Sequence, residues 1–376
     1  MMRLLIDKYQ LTWDKRFDLS ENWGSADGNG DLKRGSISSG TLHSCGLKTN
    51  PLSPDPTNPM KTLWCGGINN FGQLGIASTA NQSAPVQLKG PDETLEDWEY
   101  VSSGHFHSCA ITAAGELYCW GRNSHAQLTT TGTKTINNTA ANWVLQDPIP
   151  VAGNDWIKID AGASHTCGIK NTNELWCWGD NATDQMGNNA ATKPTQTSPI
   201  QIMEDGVATP FIAKDVAVGG YTVEPAVPAN VPPNHSAGGH TCAIKTDGTL
   251  WCWGENDTYQ LGDQTTIDKA IPTQITVDAA ANGFPPQFNN SWVSIKAGNR
   301  FTCGLQTDKH LYCWGGHTFG QTGVGVIEAS TKDIPVPVTS VTSPKPIDGN
   351  HDVIKYAVGQ NFACAINSSN DLWCWG

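Results

Sequence analysis

Six copies of one cysteine-bearing segment run along the chain, and this repetition constrains the fold more than any other feature. Aligned on their cysteines, the copies place Cys45 with Cys65, Cys109 with Cys119, Cys167 with Cys177, Cys242 with Cys252, Cys303 with Cys313, and Cys364 with Cys374. Five pairs share the spacing C-x9-C. The first is stretched by Thr49–Pro56, which reads as a long loop, and the widest gap between copies holds a proline-rich stretch, Glu224–Pro233.

The text around each pair also recurs. A glycine step and a ring precede it, as in AGASHTCGIK at 161–170 and AGNRFTCGLQ at 297–306. A tryptophan-rich stretch contains the second cysteine, as in ELYCWGRN at 116–123 and TLWCWGEN at 249–256. A glutamine-bearing element follows: FGQLG at 71–75, AQLT at 126–129, DQMG at 184–187, YQLG at 259–262 and FGQTG at 319–323. A fourth element, such as APVQL at 84–88 or IPTQI at 271–275, comes before the next unit, which Trp98, Trp156 or Trp292 opens in three copies. No window keeps a helical period for long, and glycine and proline punctuate at repeating offsets. Each unit therefore reads as four short strands. A repeat of that size with four strands fits a ring of propeller blades better than an open solenoid of hairpins.

Within a hairpin centred near Thr172, Cys167 and Cys177 stand equidistant from the turn, so their β-carbons come close enough to bridge. The same holds for the other regularly spaced pairs, and one staple per unit is predicted. The alternatives are buried reduced thiols and zinc, but C-x9-C is not a common zinc spacing. The two tryptophan positions flanking each second cysteine, as at Trp176 and Trp178, share the strand face opposite to it, which predicts packing between neighbouring units. The first copy, Trp64-Cys65-Gly66, lacks the second tryptophan, so its boundary is expected to pack differently.

His43, His107, His165 and His240 occupy one repeat position, held by Phe301 and Phe362 in the last two copies. A ring of imidazoles suggests metal binding. The two phenylalanines and the spacing around a propeller favour a buried structural role instead. Gln73, Gln127, Gln185, Gln260 and Gln321 are expected to satisfy loop backbone groups with their amides. No catalytic, cofactor-binding or metal-binding residue is assigned: nucleophile-elbow, zincin, P-loop and dinucleotide fingerprints do not occur. Asp27–Asp31 resembles a calcium loop but lacks the later ligands. Asn-x-Ser/Thr sites fall at Asn81, Asn137, Asn181, Asn234, Asn256, Asn289 and Asn367.

Composition narrows the partners. A net charge of -12, with only 23 Lys and Arg residues, disfavours nucleic acid and anionic membrane surfaces. No apolar stretch is long enough to span a bilayer as a helix. Twelve cysteines in an orderly series favour an oxidising location, namely extracellular, periplasmic or on the cell surface.

The string G-x-x-H-x-C-[AG]-[IL]…L-[WY]-C-W-G-x-N-x-x-x-Q-L-G resembles the RCC1-type repeat, the family of the regulator of chromosome condensation, over essentially residues 35–376. Within it the chain resembles the cysteine-bearing bacterial-type repeats of secreted or surface proteins. The resemblance implies an all-β propeller of four-stranded blades, typically seven. Six repeats here point to six blades, with seven or an incomplete ring as the alternatives. The sixth copy stops at Trp375-Gly376, so residues 1–34 are expected to supply a ring-closing strand, from Leu4–Tyr9 or Arg16–Leu19.

Fold alone does not license function. The expected function is an extracytoplasmic macromolecular binding or adhesion module without intrinsic catalysis or cofactor. It would take a protein or cell-surface ligand through loops of one propeller face. The insertions at 49–62, 129–143 and 220–237 are the candidate loops. A secreted enzyme inhibitor is one alternative, since the family includes a secreted inhibitor of β-lactamases. Others are a nucleotide-exchange factor for a small GTPase, as in the founding member, and a glycan-acting enzyme with paired carboxylates.

Overall fold

Strands this short, each ending at a glycine or a polar turn, pair most readily with their sequence neighbours, and the sheets are all of that kind. A computed structural model describes residues 37–49, 60–89, 97–129, 144–206, 208–221, 238–278, 288–324, 332–338 and 352–376. The first sheet runs β1 (Ile37–Ser39), β2 (His43–Thr49), β3 (Lys61–Gly67), β4 (Gln82–Gln87); the second runs β5 (Trp98–Ser103), β6 (His107–Thr112), β7 (Leu117–Arg122), β8 (Val144–Val151). The third comprises β9 (Trp156–Ala161), β10 (His165–Lys170), β11 (Leu175–Gly179) and β12 (Gln196–Gln201); the fourth comprises β13 (Ala213–Val218), β14 (His240–Lys245), β15 (Leu250–Gly254) and β16 (Lys269–Gln274). The fifth holds β17 (Trp292–Ala297), β18 (Phe301–Gln306), β19 (Leu311–Gly315) and β20 (Lys332–Pro337), and the sixth only β21 (Val353–Val358), β22 (Ala363–Asn367) and β23 (Leu372–Trp375). All pairings are antiparallel, and among the described residues the sole helical turn is a 3-10 turn at Phe288–Asn290. The fold is all-β, a β-propeller of six blades. Residues 1–34, with Leu4–Tyr9, Arg16–Leu19 and the Asp27–Asp31 turn, lie outside the described residues, as does most of each candidate binding loop.

The register places the two cysteines of every central hairpin opposite one another, including Cys45 and Cys65 despite the longer loop between them. All six pairs are bonded, with Cα atoms 4.0–4.1 Å apart. Closing so short a loop stabilises the hairpin by about 2–3 kcal/mol. In the first five blades the third strand shifts register between this cysteine and the glycine two residues on, as at Cys177 and Gly179. Gly179 has φ +108°, and a Cβ there would lie 2.7 Å from both Ser164 O and His165 Cα. The glycine of the WG motif is thus required for the close approach of two backbones.

The chain divides into two compact units. The first comprises blades one and two without residues 124–131, and the second holds residues 124–131 with blades three to six. In the first unit, Cys45, Leu47, Leu63 and Cys65 of one blade bury against Trp98, Val101, Ala110 and Trp120 of the next. The second unit repeats this arrangement. Cys167 and Cys177 meet Val216, Val218 and Trp253. Cys242 and Cys252 meet Trp292, Ile295 and Trp314. Cys303 and Cys313 meet Val353, Ala363 and Trp375. Within each unit a sheet presents its disulfide face to the blade that follows, and that blade meets it with its tryptophan face. A fully buried indole contributes about 4–6 kcal/mol by area, an upper estimate. In the first blade Gly66 stands where the others carry tryptophan, and a Cβ there would meet Pro85 at 3.3 Å.

Candidate functional site

Two layers of side chains emerge from this frame, one repeated and one varied. In the repeated layer, each glutamine side chain folds back on its own loop. Its Oε1 accepts from the backbone N–H two residues earlier: Phe71 for Gln73, His125 for Gln127, Thr183 for Gln185, Thr258 for Gln260 and Phe319 for Gln321, at 2.7–2.9 Å. That leaves the glutamine's main-chain carbonyl facing the neighbouring sheet. Gln73 O accepts from Trp120 Nε1 at 2.9 Å and from Ser108 Oγ at 3.0 Å. Gln127 O accepts from Trp178 and Thr166, and Gln185 O from Trp253 and Thr241. Gln260 O accepts from Thr302, and Gln321 O from Trp375.

The histidines complete this clasp. His43 Nε2 lies 2.8 Å from Ser108 Oγ, His165 Nε2 2.9 Å from Thr241 Oγ1, and His240 Nε2 2.9 Å from Thr302 Oγ1. Each hydroxyl already donates to a glutamine carbonyl, so it must accept from the imidazole. Nε2 of each ring therefore carries a proton. Burial, reinforced by His105, pushes His43 down to about 3. Burial, with His43 and His105 adding to it, does the same for His107, and burial alone for His240. Phe301 fills the ring position in the fifth blade, and the residue at the hydroxyl position of the sixth is Ala363, in the same apolar cluster. Where the ring loses its donor, the following blade loses its acceptor.

The varied layer sits at the open end of each central hairpin. The residue after the WG glycine donates its N–H to the carbonyl of the residue before the repeat ring: Ile68 to Leu42, Arg122 to Phe106, Asp180 to Ser164, Glu255 to Gly239 and Gly316 to Arg300. The backbone is the same in all five blades, and the side-chain pairs are not. The next residue holds the frame constant. Asn69, Asn181 and Asn256 accept from the N–H of Leu74, Met186 and Leu261 through Oδ1. Two candidate glycosylation sites, Asn181 and Asn256, are therefore buried in loop hydrogen bonds.

In the first unit, the Arg122 guanidinium stands 5.2 Å from the Phe71 ring and 5.7 Å from the Phe106 ring, a cation–π contact. In the second unit the fourth and fifth blades build a denser cluster. Tyr221 and Gly238, which flank residues 222–237, form a β-bridge. Tyr221 OH donates to Glu255 Oε1 at 3.2 Å. The Arg300 guanidinium stacks 4.4 Å from the Tyr221 ring and pairs with Asp257 at 3.4 Å. Glu255 is only 6% exposed, and its Oε2 has no hydrogen-bond partner. Burial first, then Asp257, raises the Glu255 carboxyl to about 7, against the opposing pull of Arg300. Burial first, then Glu255, raises Tyr221 to about 12.

Of Tyr221, Glu255, Asp257 and Arg300, sequence reasoning reached only Tyr221, as part of the 220–237 insertion. The available signal was the changing residue after each WG in an otherwise constant string. The sequence-selected histidines, glutamines and cysteines instead lie in the clasp and the core. Among the described residues, no three metal-ligating side chains converge, and no helix is long and apolar enough to cross a membrane.

Comparisons with known proteins agree with this architecture. A model of the regulator of chromosome condensation (RCC1) repeat matches residues 62–111, 114–169 and 247–305. A second model of the same repeat matches 98–127, 156–185 and 292–321. The chain is 26% identical over 310 residues to the ultraviolet-B receptor UVR8 of Arabidopsis thaliana, covering 82% of this chain and 59% of that protein. It is 25% identical over 276 residues to protein pim1 of Schizosaccharomyces pombe, covering 71% and 44%. It thus spans roughly half the length of these relatives. Its fold resembles human WBSCR16, with TM-score 0.67 and 18% identity over 92% of this chain and 77% of the other. Prp20p of Saccharomyces cerevisiae gives TM-score 0.63 and 18% identity, over 94% and 77%.

Proposed function

The chain belongs to the RCC1 repeat family, and from that premise we propose that it is a protein-binding module of an oxidising, extracytoplasmic compartment. The observation that carries this reading is the varied layer. Five hairpins share one hydrogen-bonded frame, yet end in aliphatic, cation–aromatic, hydroxyl–acid, acid and base side chains. A frame held constant while the side chains on it change is what recognition needs from a scaffold, because specificity then comes from the side chains at little cost to the fold.

Six bonded cysteine pairs support the compartment. Protein binding is also what is described for Prp20p, whose structural report concerns its binding to Gsp1p and histones. The working surface here would be the hairpin ends and the loops beside them, with no catalysis required. Intact mass before and after reduction tests the compartment on protein isolated from its host. A gain of about 12 Da, one hydrogen per cysteine, supports it, and an unchanged mass refutes it. Capture of an extracellular partner by the oxidised chain tests the binding. Recovery of a small GTPase by a reduced chain would instead favour the exchange-factor reading.

A further inference from the structure

We propose that Glu255 is the anchor for a lysine or arginine side chain of a protein partner, a proposal that rests on the protein-binding reading above. Glu255 offers two carboxylate oxygens. One accepts the Tyr221 hydroxyl, while the other is buried and has no hydrogen-bond partner. Folded proteins rarely leave such an acceptor unused, and leaving it so is costly. The carboxylate lies directly against the backbone at Gly238, where a Cβ would come within 2.5 Å of both oxygens.

The surroundings select the ligand's charge. Asp257 and Asp268 both add negative potential at Glu255, and Asp184 adds to it at Asp268. The nearby cations are shared with these carboxylates: Arg300 pairs with Asp257 and also draws on Glu255, Lys193 pairs with Asp184, and Lys269 with Asp263. An anion would be repelled here. A neutral donor would satisfy the oxygen but leave the field uncompensated. A cationic donor does both. A divalent metal requires several more oxygen ligands, and among the described residues no group of three ligating side chains converges. An ammonium or guanidinium needs only hydrogen-bond acceptors, and a partner's side chain brings its own scaffold.

The groups facing Glu255 are Tyr221, Arg300, Asp257 and Asp268, and together with burial they leave its carboxyl half-protonated near neutrality. Binding of a cation must then displace a proton below that pH. Affinity should rise about tenfold between pH 6 and pH 8, in step with the ionised fraction.

The test titrates the full, disulfide-intact chain with acetyl-Gly-Arg-Gly-amide and acetyl-Gly-Lys-Gly-amide by calorimetry at both pH values. Acetyl-Gly-norleucine-Gly-amide is the neutral control. The expected result is binding of a basic peptide but not of the norleucine peptide, with the tenfold pH dependence. Glu255→Gln should weaken it at least tenfold at pH 8 and abolish the pH dependence, whereas Asp247→Asn, in a turn elsewhere, should change nothing. Carboxyl carbon-13 titration of Glu255 in the unmutated chain gives a second readout, in which the basic peptide must lower its pKa. Absence of basic-peptide binding, equal binding by Glu255→Gln, or an unmoved Glu255 titration would each overturn the proposal. A natural partner still captured by Glu255→Gln would overturn the anchor while leaving the protein-binding reading intact.

Discussion

Deleting one hydroxyl, Ser108→Ala, tests the clasp between the first two blades. The hydroxyl donates to Gln73 O at 3.0 Å and accepts from His43 Nε2 at 2.8 Å. Its removal costs the net worth of the bond to the carbonyl, about 1 kcal/mol. That carbonyl keeps Trp120. The imidazole fares worse. His43 is buried and its Nδ1 has no hydrogen-bond partner, so an Nε2–H without Ser108 leaves the whole ring unsatisfied. Such a donor costs about 1–3 kcal/mol, giving a total of about 2–4 kcal/mol. The second change, His43→Phe, recreates the Phe301–Ala363 combination found between the last two blades. The slot accepts it: Gly40 packs on the His43 ring as Gly298 packs on Phe301, with a hypothetical Cβ 2.4 and 2.2 Å away. With no donor left to satisfy, the double variant should lose only about 1 kcal/mol, a favourable coupling of about 1–3 kcal/mol. Urea unfolding with unchanged slope measures each corner of the cycle. Additive losses in the double variant would refute the account of the histidine as a donor matched to the next blade's hydroxyl.

Other expectations are as direct. His43, His107 and His240 stay neutral to about pH 3 when folded but protonate near their ordinary 6.5 when unfolded, so the unfolded state binds the extra protons. Stability is therefore full above pH 6.5 and falls as pH drops toward 3, by about tenfold in the folding equilibrium per pH unit per histidine. His240→Phe should lower that slope by one proton, read from urea midpoints across the range. Glu255 has the opposite sign: its raised folded pKa contributes stability below pH 4.5 that is lost as pH rises through about 7. Glu255→Gln should thus leave the thermal midpoint unchanged at pH 4 and raise it at pH 8; a lower midpoint at pH 8 would contradict the assignment. Asp215, buried on β13, pairs with Lys158 of β9 at 2.5 Å and accepts the Ile295 N–H of β17 at 3.0 Å, linking three blades. Asp215→Ala should cost about 3–5 kcal/mol, as for other broken buried pairs, and a loss under 1 kcal/mol in urea unfolding would show the link to be dispensable.

What the sequence made legible follows from what repeats. Cys167 and Cys177 recur at a fixed spacing in five copies, and that spacing alone puts them opposite one another. The alternation at Trp176, Cys177 and Trp178 likewise assigned two faces to one strand, and Cys177 and Trp178 on the two faces are both buried. The partnership between His43 and Ser108 was written less openly. It shows only when the ring of one repeat is compared with the residue before the cysteine in the next, where Phe301 is answered by Ala363 rather than by serine or threonine. The Glu255 cluster could not be read by period at all. Tyr221, Glu255 and Arg300 come from three segments far apart in sequence, and each stands where its counterparts in other repeats differ. Periodicity reports what a fold needs in every copy, whereas binding chemistry is what a copy needs alone.

The central claim is that the varied hairpin ends recognise a partner while the repeated layer only holds them. Its most direct test replaces Asp180, Glu255 and Arg300 with alanine in one chain and compares partner capture with the unmutated protein, with all six disulfides verified in both. The expected result is a thermal midpoint shifted by only a few degrees and a captured partner lost. Undiminished capture by this variant would contradict the claim.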